Sequence, residues 1–243
     1  MRLTQYGRDV WLSALFIALA LDAIVAAVCC LMNICLCSAL PISLWIFISV
    51  CWLAAAAFFR DPARKIPDDT SLVVSPADGT VRDIELFDAD KLECEEMRRL
   101  FQGVKVLRIG IFLSVFSVHV NRAPAAMKIT LKHYKKGAFH DARDGRAITE
   151  NEAMTIGGTA EMNGIAFPCA VRQISGAIAR RIVCPVEINT ELSRGELYGM
   201  IKFGSRTELF LPADKFDVSV KIGDGVCGGS SVLAKIRTAT PEQ

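Results

Sequence analysis

Residues 198–212 read "YGMIKFGSRTELFLP", and how this stretch is read decides the fold. Strand-forming residues run up to Gly204 and resume after Arg206, without the Asn-Gly or Asp-Gly pair that makes a two-residue hairpin turn. A glycine inside a strand ordinarily marks a bulge or a tight bend. The stretch is therefore expected to be β structure, an ordinary strand or hairpin, interrupted at Gly204–Ser205. A second reading is chemical. A small residue ahead of a serine leaves the intervening carbonyl open to attack by that serine's hydroxyl.

Working outward, most of the polar part of the chain has the same character. "VKVLRIGIFLSVF", "MKITLKHY", "IAFPCAVRQI", "RRIVCPVEI", "LYGMIKF", "TELFLP" and "FDVSVKI" are short, rich in β-branched or aromatic residues, and broken by Gly, Pro or Asp. One stretch, "DADKLECEEMRRLF" (88–101), reads as a helix, with acids early and arginines late as the helix dipole favours. The fold class expected is mainly β with minor helix, a barrel or sandwich.

The amino-terminal part differs. Between Val10 and Phe59 the only charged residue is Asp22, whereas charges are frequent from Arg60 onward. "VWLSALFIALALDAIVAAVCCLM" (10–32) is long enough to span a bilayer, and "SLWIFISVCWLAAAAFF" (43–59) sits at the short end of that range. The uncharged linker between them carries Pro41, read here as a helix breaker. Arg2 and Arg8 precede the first run; Arg60, Arg64 and Lys65 follow the second. By the positive-inside rule both flanks belong in the cytoplasm, which predicts a transmembrane helical hairpin. A secretory signal peptide is the competing reading, and the second run with its basic flank argues against it. Asp22 near a helix centre costs about 2.5–3.5 kcal/mol on insertion scales, which the surrounding Leu, Ile and Ala offset. The expected organisation is a membrane anchor over 1–59 and one soluble domain over 60–243.

The net charge of +2 carries no basic block of the kind nucleic acid requires, so no nucleic-acid partner is expected. Nine cysteines without a CxxC pair, and only three histidines, make a metal site unexpected and point to reduced thiols.

If Ser205 is a nucleophile it needs a base, normally histidine, and a carboxylate to orient that base. His119 follows an apolar strand in "FLSVFSVHVNRAP" and precedes a proline. His133 lies among lysines on a solvated strand, and His140 follows a turn glycine. Asp78, in "SPADGTV", is either an ordinary turn residue or the carboxylate sought. The absence of a GxSxG elbow excludes an α/β-hydrolase arrangement.

Six blocks then occur in order: "FFRDPARKIP", "SPADGTV", "IFLSVFSVHVNRAP", "ENE", "GAIARRIV" and "FGSRTELFLP". Together, over residues 58 to 238, they resemble the short bacterial and archaeal form of the pyruvoyl-dependent phosphatidylserine decarboxylase proenzymes. The resemblance implies that the Gly204–Ser205 bond is cut by the protein itself. Ser205 Oγ would attack the Gly204 carbonyl, and the resulting ester would lose its carboxylate by β-elimination. The dehydroalanine left behind would hydrolyse to a pyruvoyl group and ammonia. The products would be a β chain of residues 1–204 and an α chain from 205 to 243. The pyruvoyl group, derived from Ser205, would form a Schiff base with phosphatidylserine in the membrane, lose carbon dioxide and release phosphatidylethanolamine. His119 would transfer protons and Asp78 would partner it in maturation. Longer members carry two histidines where this chain has His119 and then Arg122. Either His119 serves both steps, or Arg122 or a more distant group takes one of them. Arg122 is equally a candidate for the lipid phosphodiester, with Arg180 a weaker one. The resemblance is compatible with a homo-oligomer and places the enzyme on the cytoplasmic membrane.

A different class competes on local features. "AAMKIT" (125–130) is similar to the biotin-bearing segment of carrier domains, and "VKIGDGVCGGSSVLAKI" (220–236) to the strand repeats of lipoyl and biotinyl β-sandwiches. A membrane-tethered carrier modified at Lys128 would explain both, but it leaves the Gly-Ser pair and "SVHVNRAP" without a purpose. The likeness points to a related barrel-sandwich fold.

Overall fold

The computed structural model describes residues 2–177, 181–202 and 205–237. The chain divides into two compact units, Met1–Pro62 and Ala63–Gln243.

The first unit is a helical hairpin of α1 (Arg8–Leu31) and α2 (Ala39–Phe58). Both helices are long and apolar enough to cross a membrane, by length and composition. Pro41 does not break the second helix. It lies in the first turn of α2, where backbone N–H groups have no partner within the helix, so its missing donor costs little. The Trp45 indole N–H donates to the Asp22 carbonyl oxygen across the pair, at 3.4 Å. The two chain ends of the hairpin are bound side by side. The Thr4 N–H donates to the Phe59 carbonyl and the Asp61 N–H to the Arg2 carbonyl, both at 2.8 Å. Gly7 allows this closure, because a Cβ there would stand 2.0 Å from the Phe59 ring.

The second unit is built on antiparallel strand pairs with two short helices. In chain order its elements are β1 (Leu72–Val74), β2 (Gly79–Asp88), α3 (Glu95–Leu100), β3 (Lys105–Leu113), β4 (Val120–Arg122) and β5 (Met127–Lys135). There follow α4 (Arg146–Glu150), β6 (Ala153–Met162), β7 (Ile165–Ile174), β8 (Ile182–Val183), β9 (Glu191–Leu192) and β10 (Leu197–Ile201). The chain ends with β11 (Ser205–Pro212), β12 (Phe216–Val218), β13 (Gly225–Val226) and β14 (Val232–Ile236). Eight strands form one sheet in the order β13-β2-β3-β11-β7-β6-β5-β9, and two three-stranded sheets, β1-β14-β12 and β4-β10-β8, complete the unit.

The helix expected over 88–101 is real only at its end, as α3, after a single turn of 3-10 helix at Ala89–Lys91. Met97 and Phe101 pack it into a small second core with Val106, Leu131 and Phe210. Strand β6 was not legible because Gly157 and Gly158 interrupt its pattern. A Cβ on Gly158 would fall 1.9 Å from the Lys128 carbonyl oxygen, so the bare backbone is what lets β6 lie against β5.

The opening stretch is neither one strand nor a hairpin. β10 belongs to a three-stranded sheet and β11 to the centre of the eight-stranded one. The chain changes sheet between them, and Phe203 and Gly204 lie outside the described residues. Strand β11 is buried at every position, which explains its apolar run.

Its two faces differ. Leu209 and Leu211 enter the main core with Ile109, Ile111, Leu113 and Val171. Arg206 and Glu208 point the other way into a buried charge cluster. The Arg206 guanidinium grips Asp83 through two nitrogens, at 2.6 and 2.7 Å, and donates through Nε to Glu208 at 2.9 Å. Arg108 and Arg172 flank the same Glu208 carboxylate at 3.6 and 3.7 Å. Gly110 makes room, since a Cβ there would stand 2.0 Å from Arg206 Nη2. Burial alone would raise the Asp83 carboxyl, but hydrogen bonds and charge from Arg206, with Arg108 behind it, outweigh burial and hold it below its ordinary value. The sign follows from linkage. A depressed carboxylate stabilises the fold above its unfolded value, about 3.9, and that contribution is lost as pH falls through the folded value. The melting temperature is therefore expected to fall as pH is lowered below about 4, and Asp83→Asn to flatten that fall.

Candidate active site

Two strand ends build the site. Ser205 opens β11, opposite Leu113 at the end of β3. The chain leaves Leu113 through a turn closed by the Ser117 N–H on the Ser114 carbonyl, at 2.9 Å, and reaches His119 just before β4. The His119 carbonyl accepts from the Ile201 N–H at 3.1 Å, at the end of β10. One bond thus fixes His119 to the strand that leads towards Ser205, while the turn it follows starts beside Ser205 itself.

Both residues are fully buried. His119 Nδ1 lies 2.9 Å from the Ser117 carbonyl oxygen. A carbonyl can only accept, so Nδ1 carries the hydrogen and the neutral ring has its lone pair on Nε2. The Ser205 hydroxyl has no hydrogen-bond partner among the described residues. A buried hydroxyl in that state is uncommon and calls for a reason.

A polar network that the sequence reading did not single out lies on the same sheet face. Thr207 is two residues along β11 and faces Gln173 of β7. Gln173 Nε2 donates to Asn121 Oδ1 at 2.8 Å, and Asn121 Nδ2 donates to Thr207 Oγ1 at 3.0 Å and to the Pro76 carbonyl at 3.4 Å. Gln173 Oε1 and Ser175 Oγ, both buried, have no partner among the described residues. The signal for Gln173 was present in "AVRQI": it occupies a core-facing place, two residues after the buried Val171, where an apolar residue would be ordinary.

The other candidates are placed as follows. Asp78 accepts from Arg64 through Oδ2 at 2.6 Å and from the Gly228 N–H through Oδ1 at 2.7 Å. Arg122 donates to the Gly195 carbonyl at 3.0 Å, its stem beside Gly229. Gly204 and Arg180 lie outside the described residues. His133 and His140 are engaged with surface acids, Glu96 at 3.7 Å and Glu150 at 2.8 Å. Lys128 is exposed within β5, between Thr159 of β6 and Glu191 of β9. One group of three potential metal ligands occurs among the described residues: Cys94, Glu96 and His133, with donor atoms within 4.8 Å of one another. Burial first, and then the Glu96 and Glu93 carboxylates, push the Cys94 thiol up, so it stays protonated.

A model of the phosphatidylserine decarboxylase family matches residues 53–234. A phosphatidylserine decarboxylase proenzyme of Neisseria meningitidis serogroup C is 39% identical over 199 residues, covering 82% of this chain and 68% of that protein. Proteins of the same description are 38% identical over 201 residues in Pelobacter propionicus (83% and 85% covered) and 39% identical over 193 residues in Geotalea uraniireducens (77% and 81%). With a matching family model over most of its length and relatives at this identity, the chain belongs to the phosphatidylserine decarboxylase family and is a decarboxylase.

Proposed function

We propose that the chain cuts itself between Gly204 and Ser205 and then converts phosphatidylserine to phosphatidylethanolamine, using a pyruvoyl group made from Ser205. The observation that carries this reading is the Ser205 hydroxyl, buried at the head of a central strand with no hydrogen bond among the described residues. Such a hydroxyl is left available for reaction, and the low local dielectric strengthens the hydrogen bond it makes to a base. Ser205 Oγ attacks the Gly204 carbonyl carbon and passes its proton to His119 Nε2; the peptide C–N bond breaks and its nitrogen takes up a proton. A base then removes the Ser205 Cα proton, and the Cβ–Oγ bond breaks with the Gly204 carboxylate leaving, a much better leaving group than hydroxide. The dehydroalanine formed tautomerises to an imine that water hydrolyses to the pyruvoyl ketone and ammonia.

The residues present fit a carbonyl group at position 205. The Ser175 hydroxyl, buried and without a partner among the described residues, is a donor such a carbonyl could accept from, and Leu113 lies opposite position 205 on β3. A pyruvoyl group there supplies the electron sink for loss of carbon dioxide from an amine-bearing carbon. His119 holds the proton that returns to that carbon. Asp78 acts in maturation by ordering the loop before β2, through its bonds to Arg64 and Gly228. Arg122, with Arg180, serves the lipid phosphodiester. The hairpin tethers the enzyme to the cytoplasmic membrane where its substrate resides, and Arg60 and Lys65 add about 1 kcal/mol each towards an anionic surface, while Arg64 is taken up by Asp78.

Intact-mass analysis of the purified protein beside a decarboxylase assay on phosphatidylserine vesicles tests this reading. The expected result is two chains divided after Gly204, the smaller blocked at its amino terminus, and carbon dioxide release. A single uncut chain that is nonetheless active would overturn it.

A further inference from the structure

The amide of Gln173 is held in one orientation by a chain of bonds that can be read from its far end. The Pro76 carbonyl can only accept, so the Asn121 atom facing it is Nδ2. Asn121 Oδ1 therefore faces Gln173, which must answer with its own NH2 group, at 2.8 Å. Gln173 Oε1 is left over. It is an acceptor, it is buried with the whole side chain, and no described residue donates to it. Gly199 gives the amide its space, because a Cβ there would come within 3.1 Å of Gln173 Nε2. The next inward position, one residue past the end of β7, is Ser175, whose hydroxyl is equally unpartnered among the described residues. A buried carbonyl oxygen left without a donor loses about 1–3 kcal/mol of solvation, and no described residue returns it here. A ligand donor returns it.

We infer that Gln173 Oε1 accepts a hydrogen bond from the amino group of the lipid head group, and so selects amine-bearing phospholipids. The inference rests on the substrate reading above and adds to it the residue that recognises the amine. An amine suits the position in either protonation state, since both have N–H to give. A carboxylate or phosphodiester oxygen does not, because it would meet an oxygen with no hydrogen between them. Ser175, which both donates and accepts, discriminates less.

The test compares wild type with Gln173→Met, a substitution of similar volume that removes the acceptor. Calorimetric binding of lysophosphatidylethanolamine and lysophosphatidylglycerol is measured on the full chain in detergent, with intact mass and phosphatidylserine kinetics on the same samples. The wild type is expected to favour the ethanolamine lipid. Gln173→Met is expected to be cut, to bind both lipids alike, and to show a rise in KM of about ten- to a hundredfold, with kcat changed less. Normal maturation with the preference for the ethanolamine lipid kept would overturn the inference. Should Gln173→Met fail to fold, Gln173→Glu keeps an acceptor at the same place: retained preference supports the assignment and lost preference defeats it. A wild type that remains uncut defeats the maturation reading alone, and the lysolipid comparison still decides the role of Gln173.

Discussion

Ser205→Ala is expected to leave one uncut chain and no decarboxylation of phosphatidylserine. No other hydroxyl can take over, because the bond at stake is the one on the serine's own amide. The nucleophile and the future electron sink are the same residue, so its loss removes both. The fold should survive. Alanine differs from serine here by a hydroxyl that makes no hydrogen bond among the described residues, and removing an unsatisfied buried polar group is neutral or favourable, by up to about 1–3 kcal/mol. Thermal unfolding of Ser205→Ala should therefore occur at or above the temperature of any uncut wild-type chain. An active Ser205→Ala protein would place the chemistry elsewhere, and a cut one would show that the break does not need this hydroxyl.

His119→Asn is expected to fold normally and to cut itself about 10²–10⁴ times more slowly. The asparagine is chosen for its geometry. Its side-chain NH2 can still donate to the Ser117 carbonyl, as Nδ1 of the imidazole does at 2.9 Å, so the turn before β4 keeps its anchor. What it lacks is the lone pair on Nε2. A purely structural histidine would be replaced without loss, and a time course of cleavage by mass would match the wild type. Slow cleavage with unchanged melting would assign the proton transfer to the imidazole. The small fraction that does mature then reports on the second step. If its turnover per cut chain is also depressed, one histidine serves both reactions; if turnover per cut chain is normal, Arg122 or a more distant group takes the second.

The sequence by itself determined the features that depend on neighbours along the chain. Two apolar runs, with Asp22 their single charge, specify the helical hairpin, because each is long enough to close its backbone hydrogen bonds within its own segment. Short β-branched stretches punctuated by turn residues specify a mainly β unit. The ordered blocks around His119 and Ser205 specify the family. Where local reading failed, a contact from far along the chain had won: Gly158 of β6 accommodates the backbone of β5, and Ser205 opens a strand in a different sheet from β10, which no strand propensity encodes. Only the tertiary structure decided the rest. Asn121 and Thr207 are 86 residues apart, and Asn121 and Gln173 are 52 apart, yet each pair shares a hydrogen bond. Arg206 closes on Asp83 across 123 residues. Whether a polar side chain in a β sequence faces water, a buried ion or an unfilled cavity depends on the register of strands that are remote in sequence. That register leaves the oxygens of Ser205 and Gln173 buried, adjacent along one sheet face, and without a donor among the described residues.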